Sequence, residues 1–220
     1  MYLYGASGHA KVVMDILSAN GIKVKALVDD NPLLSDICGV KICHEAAGLS
    51  PLIISIGSNR DRKMIAECLS CEFGVAVHPS ANISESAKIG EGSVVMAGTT
   101  VNADVCIGRH CIINTNASVD HECIVEDYVH ISPNVAICGK VHVGEGSHIG
   151  VGASVIPGIK IGRWATIGAG ATVITDVPDG ATVVGTPARI IKIDNGKIMG
   201  GGKYVTFNLL CCIIPCRYAA

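Results

Sequence analysis

The stretch NTNASVDHECIVEDYVH, residues 114–130, concentrates side chains that could do acid–base chemistry. It contains two histidines and four acidic residues, whereas the flanking chain consists mainly of Ile, Val, Gly and Ala. Histidine titrates near neutral pH and a neighbouring carboxylate can orient its ring, so His121 and Glu122 could act as a general base and its support. A solvated surface with ion pairs is the alternative. We favour chemistry because the charges interrupt an otherwise apolar pattern.

An unbroken six-residue repeat surrounds this stretch. Ile or Val occupies every sixth position from Ile83 to Val173, which makes 16 positions, and a small or β-branched residue follows four residues after each. A period of six fits neither an α-helix nor one long strand, so the unit is a short strand plus a turn. Three units make a coil of 18 residues. We therefore predict a parallel β-helix of about five coils with Cys111 and Cys123 in its core.

The repeat also predicts which residues are neighbours. Side chains 18 positions apart lie on the same face of adjacent coils. The predicted pairs are His121 with Gly139, Glu122 with Lys140, and His130 with His148. Gly139 would leave space beside the imidazole, and Lys140 would keep the Glu122 carboxylate ionised.

The first 75 residues have a different pattern. The strand YLYG, the turn ASGHA, the helical run KVVMDILSAN, the apolar strands KALVDD and LIISIG and the helical run NRDRKMIAECLSC indicate a Rossmann-like α/β domain. Cys68 and Cys71 have no second pair at zinc-finger spacing, so we place them on one turn of that last helix. We predict a Rossmann-like domain at 1–76, the β-helix at 77–192 and a tail of unknown structure at 193–220.

The GASGHA turn could bind phosphate. Gly5 and Gly8 would let the backbone present N–H groups at the start of the first helix. The turn lacks the GxGxxG pattern, which disfavours NAD. A nucleotide-sugar diphosphate fits better, with Asp29 and Asp30 placed to meet the ribose or base; a plain turn and helix cap is the open alternative.

Composition excludes other classes of function. The net charge is −2 and there is no basic run, so we expect no nucleic-acid partner. No apolar run is long enough to span a membrane and the N-terminus lacks a signal-peptide pattern, so we expect no membrane insertion and a cytoplasmic location. Eleven cysteines, an odd number, favour reduced thiols.

Several motifs resemble a known family. IGEGS, IGRHC, VGEGS, IGVGAS and IGAGAT resemble the repeats of the hexapeptide acyltransferases, whose β-helix is left-handed. NTNASVDHEC resembles the N-T-x-x-x-x-x-H-E-C segment of bacterial sugar acetyltransferases that join a small nucleotide-binding domain to this β-helix. GASGHA, LVDD and ISIGSNRDRK are similar to the same group. The group includes UDP-4-amino-sugar N-acetyltransferases and sialic acid O-acetyltransferase-like proteins.

The resemblance implies roles for individual residues. It makes His121 the general base, supported by Glu122, with acetyl-CoA as co-substrate and no metal. The residues implied to contact acetyl-CoA are His130 and Gly139 at the thioester, Gly150, Val151 and Gly168 along the pantetheine, and Arg189 at the phosphates. The residues predicted to hold the nucleotide sugar are Gly5, Ser7, Gly8, His9, Asp29, Asp30, Gly57 and Asn59. Ala10 and Ala169 stand where some relatives have glycine.

The resulting expectation is a homotrimer, with its active site between subunits, that acetylates the amino group of a UDP-linked amino sugar. O-acetylation of sialic acid or another sugar hydroxyl is the closest alternative, and a non-catalytic β-helix scaffold is a more distant one. A γ-class carbonic anhydrase would use His121, His130 and His148 as metal ligands, but the N-terminal domain and the VGTPAR ending disfavour it. The tail from Asn195 matches neither the repeat nor the usual ending of the family.

Overall fold

The computed structural model describes residues 1–194, so residues 195–220 of the predicted tail lie outside the described residues. The chain begins with a small α/β layer. Its elements are β1 (Tyr2–Tyr4), α1 (Gly8–Ala19), β2 (Ala26–Val28), β3 (Asp36–Ile37), β4 (Val40–Cys43), β5 (Leu52–Ile54) and α2 (Asn59–Cys68). The sheet has the order β3-β4-β2-β1-β5, parallel except for the β3–β4 pair. The strand–helix alternation predicted for this region is present.

One prediction about α2 is wrong. The helix ends at Cys68, and Leu69 already has extended dihedral angles, φ −97° and ψ 134°. Cys71 therefore lies beyond the helix and does not share a helical turn with Cys68. The apolar and polar residues of NRDRKMIAECLSC fit a helix throughout, but the backbone leaves the helical region before the sequence pattern does.

The six-residue repeat forms a parallel β-helix with three sheets. Sheet I contains β7 (Asn82–Ile83), β10 (Thr100–Val101), β13 (Ser118–Val119), β16 (Ala136–Ile137), β19 (Ser154–Val155) and β22 (Thr172–Val173). Sheet II contains β8 (Lys88–Ile89), β11 (Cys106–Ile107), β14 (Ile124–Val125), β17 (His142–Val143) and β20 (Lys160–Ile161). Sheet III contains β6 (Ala76–Val77), β9 (Val94–Val95), β12 (Ile112–Ile113), β15 (His130–Ile131), β18 (His148–Ile149), β21 (Thr166–Ile167), β23 (Ala181–Val184) and β24 (Arg189–Ile193).

Each coil visits sheets I, II and III in turn, so its cross-section has three corners. We call them the I–II corner, which includes residues 120–123, the II–III corner, which includes 126–129, and the III–I corner, which includes 132–135. Partner residues on adjacent coils are 18 positions apart, as in the register of His130 with His148. This spacing confirms the predicted neighbour relations.

The interior holds the aliphatic column of the repeat. Cys111 and Cys123 are fully buried in it, as predicted. Polar residues in the column donate their hydroxyls to backbone carbonyls of the next coil: Ser93 to Gly108 at 2.8 Å, and Ser147 to Gly162 at 2.6 Å. The buried hydroxyls are therefore satisfied and the column stays continuous.

A left-handed residue in each turn is the part of the repeat that the aliphatic pattern did not predict. The φ angle is positive at every sixth position from Gly92 to Gly170. Eight of these positions carry side chains: Asp104, His110, Asn116, Glu122, Tyr128, Asn134, Lys140 and Trp164. Side chains are uncommon in this region, so the flanking strands must hold these turns. Glu122, next to His121, is one of them.

The α/β layer packs on sheet III. Leu3 and Val13 share one buried core with Met96 and Ile112, which face outward from the first coils. Sheet III is opposite the I–II corner in the triangular cross-section, so the N-terminal layer and the I–II corner lie on opposite sides of the chain. Within residues 1–194, no helix has the length and apolar character needed to cross a membrane.

Candidate active site

His121 and Glu122 form a hydrogen-bonded pair at the I–II corner. His121 Nδ1 lies 3.0 Å from Glu122 Oε2, and Lys140 Nζ lies 3.5 Å from the same oxygen. The hydrogen bond with His121, and then the charge of Lys140, hold the pKa of Glu122 below its usual range. The Glu122 carboxylate is therefore ionised at neutral pH and can only accept hydrogen bonds.

This bond decides which ring nitrogen carries the proton. Since Glu122 accepts, the neutral His121 ring must donate through Nδ1, which leaves the lone pair on Nε2. Nε2 faces Gly139 on the next coil: a Cβ atom at Gly139 would come within 2.5 Å of it. The geometry thus presents an unprotonated imidazole nitrogen at a place that only glycine leaves open.

The backbone of His121 is held in place by Asp120. Asp120 accepts from the His121 backbone N–H at 2.8 Å and from Asn102 Nδ2 at 2.8 Å. These two hydrogen bonds lower the pKa of Asp120, the Asn102 bond most. The carboxylate of Asp120 therefore ties His121 to the coil below it.

A groove runs along the corner past His121. It has a volume of about 450 Å³ and is lined by Asn82, Ser84, Val101, Asn102, Ala103, Asp120 and His121. In the other direction along the axis, the column that contains Asp120 continues with Cys138 and then with the exposed Ile156 and Ile174, while Lys140 and Asp176 lie on the same corner. His121 thus lies where this column changes from polar to apolar side chains.

The β1–α1 loop carries the residues predicted to hold a nucleotide sugar. Gly5 has φ +101°, and a Cβ there would come within 2.7 Å of the Ile56 side chain, so the tight turn requires glycine. Asp29 fixes the loop by accepting from the Ala6 N–H at 2.8 Å. Ser7 caps α1, but its side chain makes no capping hydrogen bond. The hydroxyl of Ser7 and the first N–H groups of α1 are therefore placed as an anion site requires.

Asp30 has a local partner. Tyr4 donates its hydroxyl to the Asp30 carboxylate at 3.0 Å. Burial, followed by the charge of Asp30, raises the pKa of Tyr4. A ribose or base that contacts Asp30, as predicted, would share the Asp30 carboxylate with the Tyr4 hydroxyl.

Three histidines meet where the N-terminal layer ends on sheet III. The rings of His130 and His148 stack with centroids 4.9 Å apart, and His9 of α1 is close enough for its charge to act on His130. Asn114 Nδ2 lies 3.1 Å from His130 Nε2, and the Gly57 backbone lies close enough to act on the same ring. Nε2 of His9 is buried and has no partner among residues 1–194. The structure thus brings His9, which is predicted to hold the nucleotide sugar, close to His130, which is predicted to contact acetyl-CoA.

Burial keeps these rings neutral. It lowers the pKa of His130 to about 3, with the neighbouring His148 adding to the effect, and that of His9 to about 4, with Arg62 adding to it. It also lowers the pKa of His110, at the II–III corner, to about 4. At neutral pH these side chains act as hydrogen-bonding groups and not as cations.

The buried histidines predict a loss of stability on mild acidification. Their pKa values are below the unfolded value of about 6.5, so the unfolded chain binds more protons between pH 6.5 and 4 and stability falls as the pH falls through that window. From pH 7 to pH 5 we expect each of the three rings to lower the free energy of unfolding by just under about 2 kcal/mol, which makes about 5 kcal/mol in total. Urea unfolding at each pH measures it.

His110→Asn provides the matched variant. His110 has φ 53°, a conformation that asparagine tolerates, so the turn can persist. The variant should show a shallower pH dependence than the parent between pH 7 and 5. A stability that does not change over this range would contradict the burial of the three rings in their neutral form.

Apart from Gly139, the predicted acetyl-CoA residues do not lie beside His121 in one chain. Gly150, Val151 and Gly168 are at the III–I corner, and Arg189 is exposed on β24. Gly150 packs against the next coil, since a Cβ there would come within 2.6 Å of the Ile167 carbonyl. Coil packing alone thus accounts for that glycine, and the acetyl-CoA contacts of these four residues stay a prediction.

His130 is separated from His121 as well. It lies on sheet III under the N-terminal layer, opposite the I–II corner. Its contact with the thioester therefore stays a prediction that one chain does not provide. The described residues 1–194 contain no group of three His, Cys, Asp or Glu side chains arranged to hold a metal.

Sequence reasoning missed two site residues, Asn114 and Asp120, and did not predict the contacts of a third, Asn59. Asn114 lies in the polar stretch 114–130, but its contact with His130, 16 positions away, depends on the coil geometry. Asp120 accepts a hydrogen bond from the His121 backbone N–H, a role that cannot be predicted from its residue type. Asn59 was predicted to hold the substrate; its side-chain amide donates to the carbonyls of Gly146 and Ser147 and accepts from Arg62, and its contact with a ligand stays a prediction.

The fold and the site define a class: a hexapeptide-repeat transferase whose β-helix follows a small α/β domain. Residues 1–69 match the PglD N-terminal domain, and residues 140–175 match the bacterial transferase hexapeptide (six repeats). Solved relatives extend this match over most of the chain.

Two solved structures are especially similar. A histidine variant of perosamine N-acetyltransferase from Caulobacter crescentus, in complex with CoA and GDP-perosamine, is 41% identical, with a TM-score of 0.83 over 87% of this chain and 96% of that one. The acetyltransferase domain of PglB from Neisseria gonorrhoeae FA1090, in complex with acetyl coenzyme A, is 37% identical, with a TM-score of 0.81 over 86% of this chain and 98% of that one.

A curated relative is similar over a shorter region. UDP-N-acetylbacillosamine N-acetyltransferase of Bacillus subtilis (strain 168) is 43% identical over 108 residues, which are 43% of this chain and 50% of that protein. The chain spans about half or less of the length of the curated relatives it matches.

The chain belongs to the bacterial hexapeptide-repeat sugar acetyltransferases. This confirms the resemblance drawn from the motifs, and with it the predicted fold class of an α/β domain followed by a hexapeptide-repeat β-helix. It also disfavours the non-catalytic scaffold and the carbonic anhydrase, because these relatives are N-acetyltransferases.

Proposed function

We propose that the protein transfers an acetyl group from acetyl-CoA to the amino group of a nucleotide-linked amino sugar. The observation that carries the proposal is the His121–Glu122 pair, whose free Nε2 faces the gap at Gly139. The relatives support it, since their names and complexes include CoA, acetyl-CoA, GDP-perosamine and UDP-N-acetylbacillosamine.

His121 would act as the general base. As the sugar nitrogen attacks the thioester carbonyl, Nε2 takes a proton from that nitrogen while Glu122 stabilises the imidazolium through Nδ1–H. The carbon–sulfur bond of the tetrahedral intermediate then breaks, and the proton on Nε2 goes to the leaving thiolate. General-base help of this kind contributes about 10²–10⁴ in rate.

The oxyanion of the intermediate needs a donor, and the Gly139 backbone N–H is our candidate. No acceptor within the described residues pairs with this N–H, and it lies beside the His121 ring. A donor that is already in place needs no reorganisation during the reaction. The base would thus act on the attacking nitrogen, and the donor on the oxygen of the carbonyl that is attacked.

The nucleotide would bind to the β1–α1 loop, with its diphosphate at Ser7 and Gly8 and its ribose or base near Asp29 and Asp30. The sugar would then extend toward His9 and His130, whose neutral rings suit an uncharged amine or hydroxyl. We keep UDP as the expected nucleotide, with GDP as the other outcome, because relatives with each are known.

The separation of the site residues supports a homotrimer. His121 lies at the I–II corner, Val151 at the III–I corner, and the nucleotide loop on the side of sheet III. One substrate and one acetyl-CoA can reach all three sets only if corners from different copies meet. We therefore propose an active site between subunits, in the cytoplasm where acetyl-CoA is available.

Thermal stabilisation by separate ligands tests the proposed function. We expect acetyl-CoA and UDP each to raise the unfolding temperature, since a ligand that binds only the folded state stabilises it by mass action. Stabilisation by GDP and not by UDP would make GDP the nucleotide of the sugar substrate. Stabilisation by acetyl-CoA alone would indicate O-acetylation of a free acceptor. A response to no ligand would contradict the proposal.

A further inference from the structure

Arg62 is a buried cation with an unusual set of partners. Its side chain is 1% exposed, the largest fully buried side chain of the described residues. Burial lowers its pKa to about 10, so it stays charged at neutral pH. All five N–H donors of the guanidinium have acceptors, and no carboxylate is among them.

The acceptors belong to two separate parts of the chain. Three are in the N-terminal layer: the carbonyls of Ile56 and Gly57 in the β5–α2 connection, at 3.0 and 3.2 Å, and Asn59 Oδ1 at the start of α2, at 2.8 Å. Two are backbone carbonyls of the β-helix at the II–III corner: His110 at 2.7 Å and Tyr128 at 2.9 Å. The guanidinium therefore joins a loop of the N-terminal layer to two consecutive coils.

Stability alone gives a poor reason for this arrangement. A charge buried without a counter-ion loses its hydration, and an apolar side chain could fill the same volume without that cost. What a rigid five-donor fork adds is geometry, because it fixes the directions of five acceptors at once. The bonds point to a role in placing the β5–α2 connection.

That connection leads directly to the site. The Gly57 backbone, one acceptor of Arg62, also lies close enough to the ring of His130 to act on its protonation. His130 contacts Asn114 at 3.1 Å and stacks on His148. Arg62 is thus one residue removed from the histidine group where the amino sugar would lie.

We propose that Arg62 is a positioning residue for acetyl transfer: it holds the β5–α2 connection, and with it the sugar end of the nucleotide sugar, at a fixed place on the β-helix. This inference rests on the proposed function. Arg62 touches neither the β1–α1 loop nor the I–II corner in the described contacts, so nucleotide affinity and acetyl-CoA affinity are expected to be independent of it.

The test compares Arg62→Met with the parent protein. Misplacement of a reactant by about 1 Å can cost about 10²-fold in rate, so we expect kcat to fall by about that factor, with KM for the nucleotide sugar within about threefold of the parent. Hydrogen exchange should increase at residues 56–58 and stay unchanged in the β1–α1 loop. Arg62→Lys keeps the charge and at most three donors, so it should have an intermediate kcat.

Arg60→Met is the matched control. Arg60 is exposed on the same helix and contacts the β-helix only through the Trp164 ring, 5.1 Å away, and not through the β5–α2 connection. Its kcat should equal that of the parent. If Arg62→Met does not fold, Arg62→Lys answers the same question.

A folded Arg62 variant with the same kcat as the parent protein would overturn the inference about Arg62. In that case the activity of the parent protein would still support the proposed function. A kcat loss accompanied by an equal loss of nucleotide affinity would also overturn it, since that pattern indicates general damage to the N-terminal layer. An inactive parent protein would instead contradict the proposed function itself. The two failures are therefore distinguishable.

Discussion

His121→Ala is expected to lower kcat for acetyl transfer by about 10²–10⁴-fold, because it removes the nitrogen that takes the proton from the attacking amine. The binding of acetyl-CoA should change little, since the imidazole moves protons during the reaction and is not among the residues predicted to hold acetyl-CoA. Steady-state kinetics measure the first quantity, and thermal stabilisation by acetyl-CoA the second. The loss should appear in kcat and kcat/KM alike.

His142→Ala is the matched control for this prediction. His142 also pairs with a glutamate, at 2.8 Å from Glu126, and is also partly exposed on the β-helix, but it lies on sheet II and no glycine of the described residues faces its ring. It should keep parent activity. If His121→Ala retained near-parent kcat, or if both variants lost activity equally, the role of His121 as base would be refuted.

Gly139→Ala is expected to have the second largest effect, a loss of about 10²-fold in kcat with little change in stability. The added Cβ would come within 2.5 Å of His121 Nε2 and within 2.6 Å of its Cε1. Every atom nearest to it belongs to this one half-exposed ring. The ring can therefore rotate away, which relieves the clash and misplaces the base. The fold is untouched.

Gly21→Ala should give the opposite result. Gly21 has φ +69° with open space around it, so a side chain there is strained without meeting a neighbour. It should lower the unfolding temperature and leave kcat unchanged. Kinetics and thermal unfolding on both variants make the comparison. A Gly139→Ala protein with parent kcat would show that the gap beside Nε2 has no role in the reaction.

The architecture of the β-helix could be predicted because its physical cause is local. A side chain of Ile or Val at every sixth position has nowhere to be buried except against the same position 18 residues away, and this also fixed the His121–Gly139 and Glu122–Lys140 neighbours. The left-handed turn residues were not predicted, since Glu122 and Trp164 are not typical of that conformation. Only the stacked strands impose it.

The other half of the site depends on how the N-terminal layer packs on sheet III, which no local pattern encodes. Arg62 lies in the run NRDRK, whose charges suggest a solvated helix face, yet the docked helix buries it completely. His130 follows the repeat perfectly, but the groups that act on its ring include Gly57 and His9, which are far away in sequence. Contacts of this kind require the structure.

The most direct test of the central claim is acetyl transfer itself. The full chain would be incubated with acetyl-CoA and, separately, with a UDP-linked and a GDP-linked 4-amino sugar, and the products analysed by mass spectrometry, with His121→Ala alongside. We expect the parent protein to add one acetyl group to the sugar nitrogen and the variant to add essentially none. Absence of transfer to either amino sugar, or acetylation on oxygen, would contradict it.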